Sequence, residues 1–436
     1  MKRPIVIGLL IVALLLVGAG ISAVIFFSFL GGFSANNPFD VRNISSVLEE
    51  NKTVQVDIAK PLTLKVIDEA GGVSVTGEDV ETIQVRVVKT AYDSTQARAD
   101  EEVKGIKYTI EQNGNSLTLK YELPKSMNFS NNINTVDFFV TVPKETTVDV
   151  DTRFGTVSVT GTKGNVDIKN TFGDVTIENV EGALSVSNNN GEVTATSIEA
   201  GSENIELDSE FGAVTLKNAN GKNVILTSIN GTVTLKEVRA TGDITTRTDF
   251  GNATFENSSS NSLSIETSNG AVSLTKLRVS KEIKVKDEFG EIELVQTFAA
   301  SYDLHTNGGS ITMDGAKGKL KASSEFGGIR IRNAEDVTLD LKTNNGGVDF
   351  SGSLGMGPHT INSEFGEVNL TFPADSNLSV DLKTEFGNIK SDLPITVTLT
   401  ETSSSNVDQI VGTINGGGDQ LTVETNNGSV NLHADR

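Results

Sequence analysis

From about Val148 onward the chain alternates apolar and polar residues in short runs that repeat. The template apolar-x-apolar-x-[Ser/Thr]-x-[Phe/Asn]-Gly-x-[Val/Ile]-x-apolar returns every 18 to 21 residues. Period-two alternation predicts strands with one buried face. A repeat of this length cannot bury that face alone, so successive copies must stack. Ile205–Leu216, Leu263–Leu274 and Val380–Ile389 are clear copies. The expected fold class is all-β, a parallel β-solenoid (β-helix) with ~19–20-residue coils, one copy per coil.

Each copy is anchored by a glycine that predicts a turn: Gly155, Gly173, Gly191, Gly212, Gly231, Gly251, Gly270, Gly290, Gly309, Gly327, Gly346, Gly366, Gly387 and Gly428. The gap of two repeat lengths before Gly428 predicts a degenerate copy around Gly416. The residue before each glycine reads Phe154, Phe172, Asn190, Phe211, Asn230, Phe250, Asn269, Phe289, Gly308, Phe326, Asn345, Phe365, Phe386 and Asn427. Strand parity places these residues on the aliphatic side, two positions beyond the Ser/Thr. They are therefore expected to form an inward corner ladder, with large and small residues alternating between Asn190 and Phe365 so that bulky rings fill space their neighbours leave.

Ahead of the array, residues 51–147 read as a β-rich opening of the solenoid with one helical insertion at Ser94–Lys104. Ser94 or Thr95 can cap that helix and Gly105 can end it. Residues 31–50, with Gly, Ser, Asn and Pro, read as a linker, and residues 148–436 as the regular repeats. Residues 1–30 read as a short cytoplasmic tip and a transmembrane anchor. Ile5 to Leu30 is uninterrupted apolar sequence, longer than the roughly 20 residues a bilayer span needs. Apolar sequence continues past the small residues near Ala23, which favours an uncleaved signal anchor over a cleaved leader. Lys2 and Arg3 hold the short end in the cytoplasm, predicting a single-pass cell-membrane protein whose C-terminal body is extracellular.

Charge and composition then narrow the chemistry. Lys+Arg 36 against Asp+Glu 57 gives a net charge of -21, which opposes contact with nucleic acid. Cysteine is absent, so neither disulfides nor thiolate sites support the fold. Glu210, Asp249, Glu288, Glu325, Glu364 and Glu385 each precede a Phe-Gly pair. A solvated edge is the simpler reading of this acidic stripe, because a Ca²⁺ site needs about 6–8 oxygen ligands and the glycine-aspartate repeats of calcium-binding β-rolls are missing. His305, His359 and His433 stand apart from one another, and the glycine runs lack the Lys-Ser/Thr of a phosphate loop. No catalytic, metal or cofactor site is expected, and no cofactor.

Phe139-Val-Thr-Val-Pro143, the Gly-x-Val-x-Val coils that follow, Thr384-Glu-Phe-Gly-Asn-Ile389, Gly412-Thr-Ile-Asn-Gly-Gly-Gly418 and Leu421–Leu432 together resemble the "putative adhesin" family of bacterial membrane-anchored β-strand-repeat proteins, a domain of unknown function. The resemblance spans roughly residues 50–436. It implies a β-solenoid displayed at the cell surface and brings no catalytic residues with it. The function expected is non-catalytic: adhesin-like surface binding or an envelope interaction, with an unknown envelope protein or glycan as partner and the membrane engaged by the N-terminal helix. The alternatives are an envelope-stress or regulatory protein acting through a membrane partner and a polysaccharide-active β-helix enzyme.

Overall fold

Ile205, Leu207 and Ser209 are buried on one strand and Val214 and Leu216 on the next, while the residues between them reach solvent to varying degrees. One coil later Val224, Leu226 and Ser228 stand beside the first three, and Val233 and Leu235 beside the other two, in parallel register. Each coil thus carries two strands. Like residues stack on like, which leaves ladder hydrogen bonds and a continuous aliphatic column to hold the structure. The computed structural model describes residues 44–124, 132–402 and 407–435, and over them the chain is an all-β parallel β-solenoid. Offsets such as Val166 to Leu184 and Leu263 to Ile283 fix one repeat copy per coil.

A second bend lies within the second strand or directly after it. It falls at a residue in the left-handed region, coil after coil: Asn179, Ser197, Asn218, Glu237, Asn257, Lys276 and Gln296 have φ between 48 and 58. The residue after each turns back into the core, as Val180, Ile198 and Leu277 do. Asn tolerates this conformation; Glu, Lys and Gln adopt it here because ladder bonds on both sides determine the path.

Chain order and spatial order part at both ends. The coil of Leu62–Asp68 and Val73–Glu78 sits between the coil starting at Thr146 and the strands Ser116–Tyr121 and Thr135–Pro143. At the other end, Asp419–Thr425 and Val430–Asp435 slot between the coil of His359–Ser363 and Val368–Pro373 and the coil of Leu378–Thr384 and Ile389–Ser391. Antiparallel strands close each end. Thr82–Asp93 covers Thr135–Pro143 and is covered in turn by Ile44–Gln55. Asp408–Ile414 covers Leu378–Thr384 and pairs with Ile395–Thr402. The helix Gln96–Gly105, capped by the Thr95 hydroxyl, buries Ala99 and Val103.

Two expectations change. The region around Gly416 is not a coil: Asn415, Gly416 and Gly417 form the turn from the antiparallel strand into the last coil, all with positive φ. The linker expected through residue 50 includes strand from Ile44, since pairing along an open sheet edge is made by backbone groups and needs little apolar sequence. Lys89 is buried beside it and pairs with Glu50 at 2.6 Å. The proposed anchor, Ile5–Leu30, lies outside the described residues, and among those described no helix is long and apolar enough to cross a membrane.

Candidate functional site

The corner begins at a buried hydroxyl. Ser324 Oγ accepts from the Gly327 N–H at 2.9 Å within its own coil and donates to the Gly309 carbonyl of the preceding coil at 2.8 Å. Thr306, Thr343 and Ser363 do the same with their own glycines and those before them. A side chain closing onto the residue three positions later makes a tight turn, and the two residues inside that turn are pushed outward. The glycine is required because the coils nearly touch there. A Cβ on Gly270 would lie closer than 3.0 Å to the backbone carbonyl of Gly251, and the same contact recurs up the stack.

This turn overturns the inward corner ladder. Parity holds to the Ser/Thr and fails beyond it, because the strand has already bent. Phe211 is 50% exposed, Phe250 60%, Phe289 65%, Phe326 65%, Phe365 57% and Phe386 61%. Asn230, Asn269, Asn345 and Asn427 are exposed as well. Only at the N-terminal end are the residues half-buried. There Phe154 and Phe172 stack at 5.3 Å with an interplanar angle of 9°, and Asn190 Nδ2 donates to the Thr171 carbonyl at 3.4 Å.

Backbone bonds hold the outer residues in line. The N–H of Asn230 reaches the Glu210 carbonyl at 3.0 Å, Phe326 reaches Asn307 at 3.0 Å, Asn427 reaches Glu364 at 2.9 Å and Phe386 reaches Asn426 at 2.8 Å. These bonds give the spatial order Phe211, Asn230, Phe250, Asn269, Phe289, Gly308, Phe326, Asn345, Phe365, Asn427, Phe386. Asn427, last in the chain, stands between Phe365 and Phe386, so large and small alternate without a break. The phenylalanines recur every second coil, about 9.6 Å apart, over roughly 48 Å. Of the acidic residues before them, Glu210, Glu288, Glu325 and Glu364 are exposed and Asp249 and Glu385 half-exposed. Arg247 pairs with Asp249 at 3.3 Å.

Inside the same corner runs a polar ladder that sequence reading only partly caught. The registers stack Asp68 on Thr152, then Asn170, Asn188, Ser209, Ser228, Thr248 and Thr267. Asp287, fully buried, takes the hydroxyl position of its coil. Burial pushes its carboxyl up to about 6, and the N–H groups of Glu288, Gly290 and Phe289 oppose that rise without completing a hydrogen bond. Asp68 is pushed up to about 8, again by burial, against one backbone hydrogen bond from Ala70. Asp68 and Asp287 could have been found by aligning Asp68-Glu-Ala-Gly71 and Asp287-Glu-Phe-Gly290 to the template.

The histidines stay apart. His305 Nδ1 meets Ser323 Oγ at 2.8 Å and His433 Nδ1 meets Asp392 at 3.0 Å. His359 fills an aliphatic core position, with Nδ1 accepting from Leu339 N–H and Nε2 facing the Gly355 carbonyl. Among the described residues, no three His, Asp or Glu side chains converge as metal ligands. The surface depressions there, such as the one between Lys60, Glu78 and Lys144, are open.

The profile of the Toastrack DUF4097 family matches residues 66–316 and 256–433, which bears out the resemblance drawn from the strand repeats. No curated protein matches the sequence. Two solved structures are similar. One is described as a "putative cell adhesion protein" from Clostridium sporogenes, with 11% identity over 89% of this chain and 100% of that one at a TM-score of 0.21. The other is described as a "putative adhesin" from Bacteroides fragilis, with 16% identity over 66% of this chain and 96% of that one at a TM-score of 0.30.

Proposed function

We propose that this chain, which belongs to the Toastrack DUF4097 family, is a non-catalytic, membrane-anchored extracellular solenoid that binds an envelope component or a neighbouring surface along its phenylalanine corner. The observation that carries the reading is the exposed ladder itself. Six rings between 50% and 65% exposed contribute little to the core, yet ladder bonds hold them in line on a rigid frame. At on the order of 100 Å² of ring surface each, they amount to an apolar stripe of the size that marks interaction sites. The apolar stretch Ile5–Leu30 with Lys2 and Arg3 before it supports single-pass anchoring with the body outside.

The test uses the full chain displayed on intact cells. Protease added outside should remove the body, and replacing Phe250, Phe289 and Phe326 by Ser should abolish retention of the envelope material that the unmodified chain holds, with the fold kept. Retention unchanged in that variant would remove the phenylalanine corner as the binding face. A protected body would overturn the outward placement. Turnover of a polysaccharide, lost when one corner carboxylate is neutralised, would overturn the non-catalytic reading.

A further inference from the structure

Two coils at about 4.8 Å each make the phenylalanine repeat about 9.6 Å. A polypeptide lying along the solenoid matches that spacing in one regular conformation only. An extended strand returns to the same edge every about 6.8 Å. An α-helix does so every about 5.4 Å, or about 10.8 Å over two turns. A polyproline II helix, with three residues per turn and about 3.1 Å rise, returns every about 9.3 Å. From Phe211 to Phe386, five repeats along the stack, the α-helix drifts about 6 Å out of phase and the polyproline II helix only about 1.5 Å.

Charge selects the partner's sign. Each exposed phenylalanine of the corner follows a carboxylate, and the chain carries a net charge of -21. A second copy fits poorly for a geometric reason. Docked antiparallel, the rings of one copy enter the gaps of the other, but both lines of carboxylates fall on the same flank. Docked parallel, the carboxylates separate, but ring meets ring at equal height and the gaps over Asn269, Gly308 and Asn345 stay empty. A basic partner meets neither conflict.

Resting on the surface-binding reading, we infer that the corner docks a basic, proline-rich segment in the polyproline II conformation, one turn to every two coils. Its proline rings pack between successive phenylalanines, over the small residues. One Lys or Arg per turn lies against the carboxylate beside the ring, where the aromatic face also attracts it. The backbone ladder fixes the receiving side and polyproline II is preformed in the partner, so little ordering opposes the encounter.

The probe is a labelled peptide of about six Pro-Pro-Arg repeats, titrated by anisotropy against the full-length chain in nonionic detergent. Binding should saturate and weaken with salt. It should fall on the order of 100-fold when Phe250, Phe289 and Phe326 are all replaced by Ala. Glu288→Gln with Glu325→Gln should weaken it and flatten its salt dependence. A peptide of equal charge with a four-residue Pro-Pro-Pro-Arg repeat should bind at least about tenfold more weakly, because its repeat of about 12.4 Å loses phase. Equal binding of the two peptides, or no binding of the first, overturns the inference. Phenylalanine-dependent retention of envelope material without peptide binding leaves the proposed function standing and removes this partner class. A dimer lost in the triple Ala variant would assign the corner to a second copy and overturn it as well.

Discussion

Replacing Asp287 by Thr should stabilise the protein, and by an amount that depends on pH. On one flanking coil the Thr306 hydroxyl donates to the Gly290 carbonyl, as Thr248, Ser324 and Thr343 do to their own preceding glycines, while Thr267 on the other flank makes no such bond. An ionised carboxylate has no proton to donate there, and neither Asp287 oxygen completes a hydrogen bond. Its ionisation rises from 3.8 to about 6 in the folded state, so between those values the folded chain holds a proton that the unfolded chain has lost. Stability therefore falls as pH rises through that window. The loss is absent below it and complete above it, where roughly two pH units correspond to about 3 kcal/mol. Chemical denaturation of the full chain and of Asp287→Thr, from about pH 4 to about pH 8, should show the gap in favour of the variant opening by about that amount as pH rises. Asp68 shifts in the same direction but is present in both proteins and cancels. Asp287→Ala separates removal of the carboxylate from restoration of the hydroxyl. A gap that stays flat with pH, or widens as pH falls, would refute the assignment.

Phe250→Ser and Phe289→Ser should shift denaturation stability by no more than about 0.5–1 kcal/mol, whereas Phe255→Ala, at a site 1% exposed, should cost about 3–5 kcal/mol. Gly270→Ala forces a Cβ onto the Gly251 carbonyl and should cost at least about 2 kcal/mol, while Gly105→Ala, with nothing within 4 Å, should be close to neutral. Burial lowers the His359 ionisation from 6.5, so its contribution is present above that value and is lost as pH falls below it. His359→Leu should remove this acid slope in a pH series of denaturation midpoints while lowering stability at neutral pH by about 1–3 kcal/mol, because the Leu339 N–H loses its acceptor.

The coil and its period were legible because the core repeats them. Val224 must match Ile205 below it and Ile244 above it, so the apolar positions recur at the coil length. The outward phenylalanines were not legible by parity, since parity belongs to strands and the Ser324-to-Gly327 bond ends the strand first. That bond could have been anticipated from Ser/Thr three residues before glycine. The second corner was hidden because its left-handed residues include Ser197, Glu237, Lys276 and Gln296, which do not announce a turn. The inserted end coils were hidden for a different reason. Leu421 satisfies the same pairing rules beside His359 as any neighbour in the chain would, so the repeat alone cannot say which coil is adjacent.

That insertion bears on what the corner is for. If the alternation of Phe with Asn or Gly came from copying a two-coil unit, it would follow chain order, yet chain order ends Phe365, Phe386, Asn427. It is kept in space, where Asn427 lies between the two rings. A packing demand of the fold would also leave a two-coil rhythm inside, yet the buried ladder beneath runs Asn170, Asn188, Ser209, Ser228, Thr248, Thr267, Asp287 without one. The glycines repeat at every coil, as the close approach of the backbones requires. The two-coil rhythm therefore belongs to the outer surface, the face proposed above for binding.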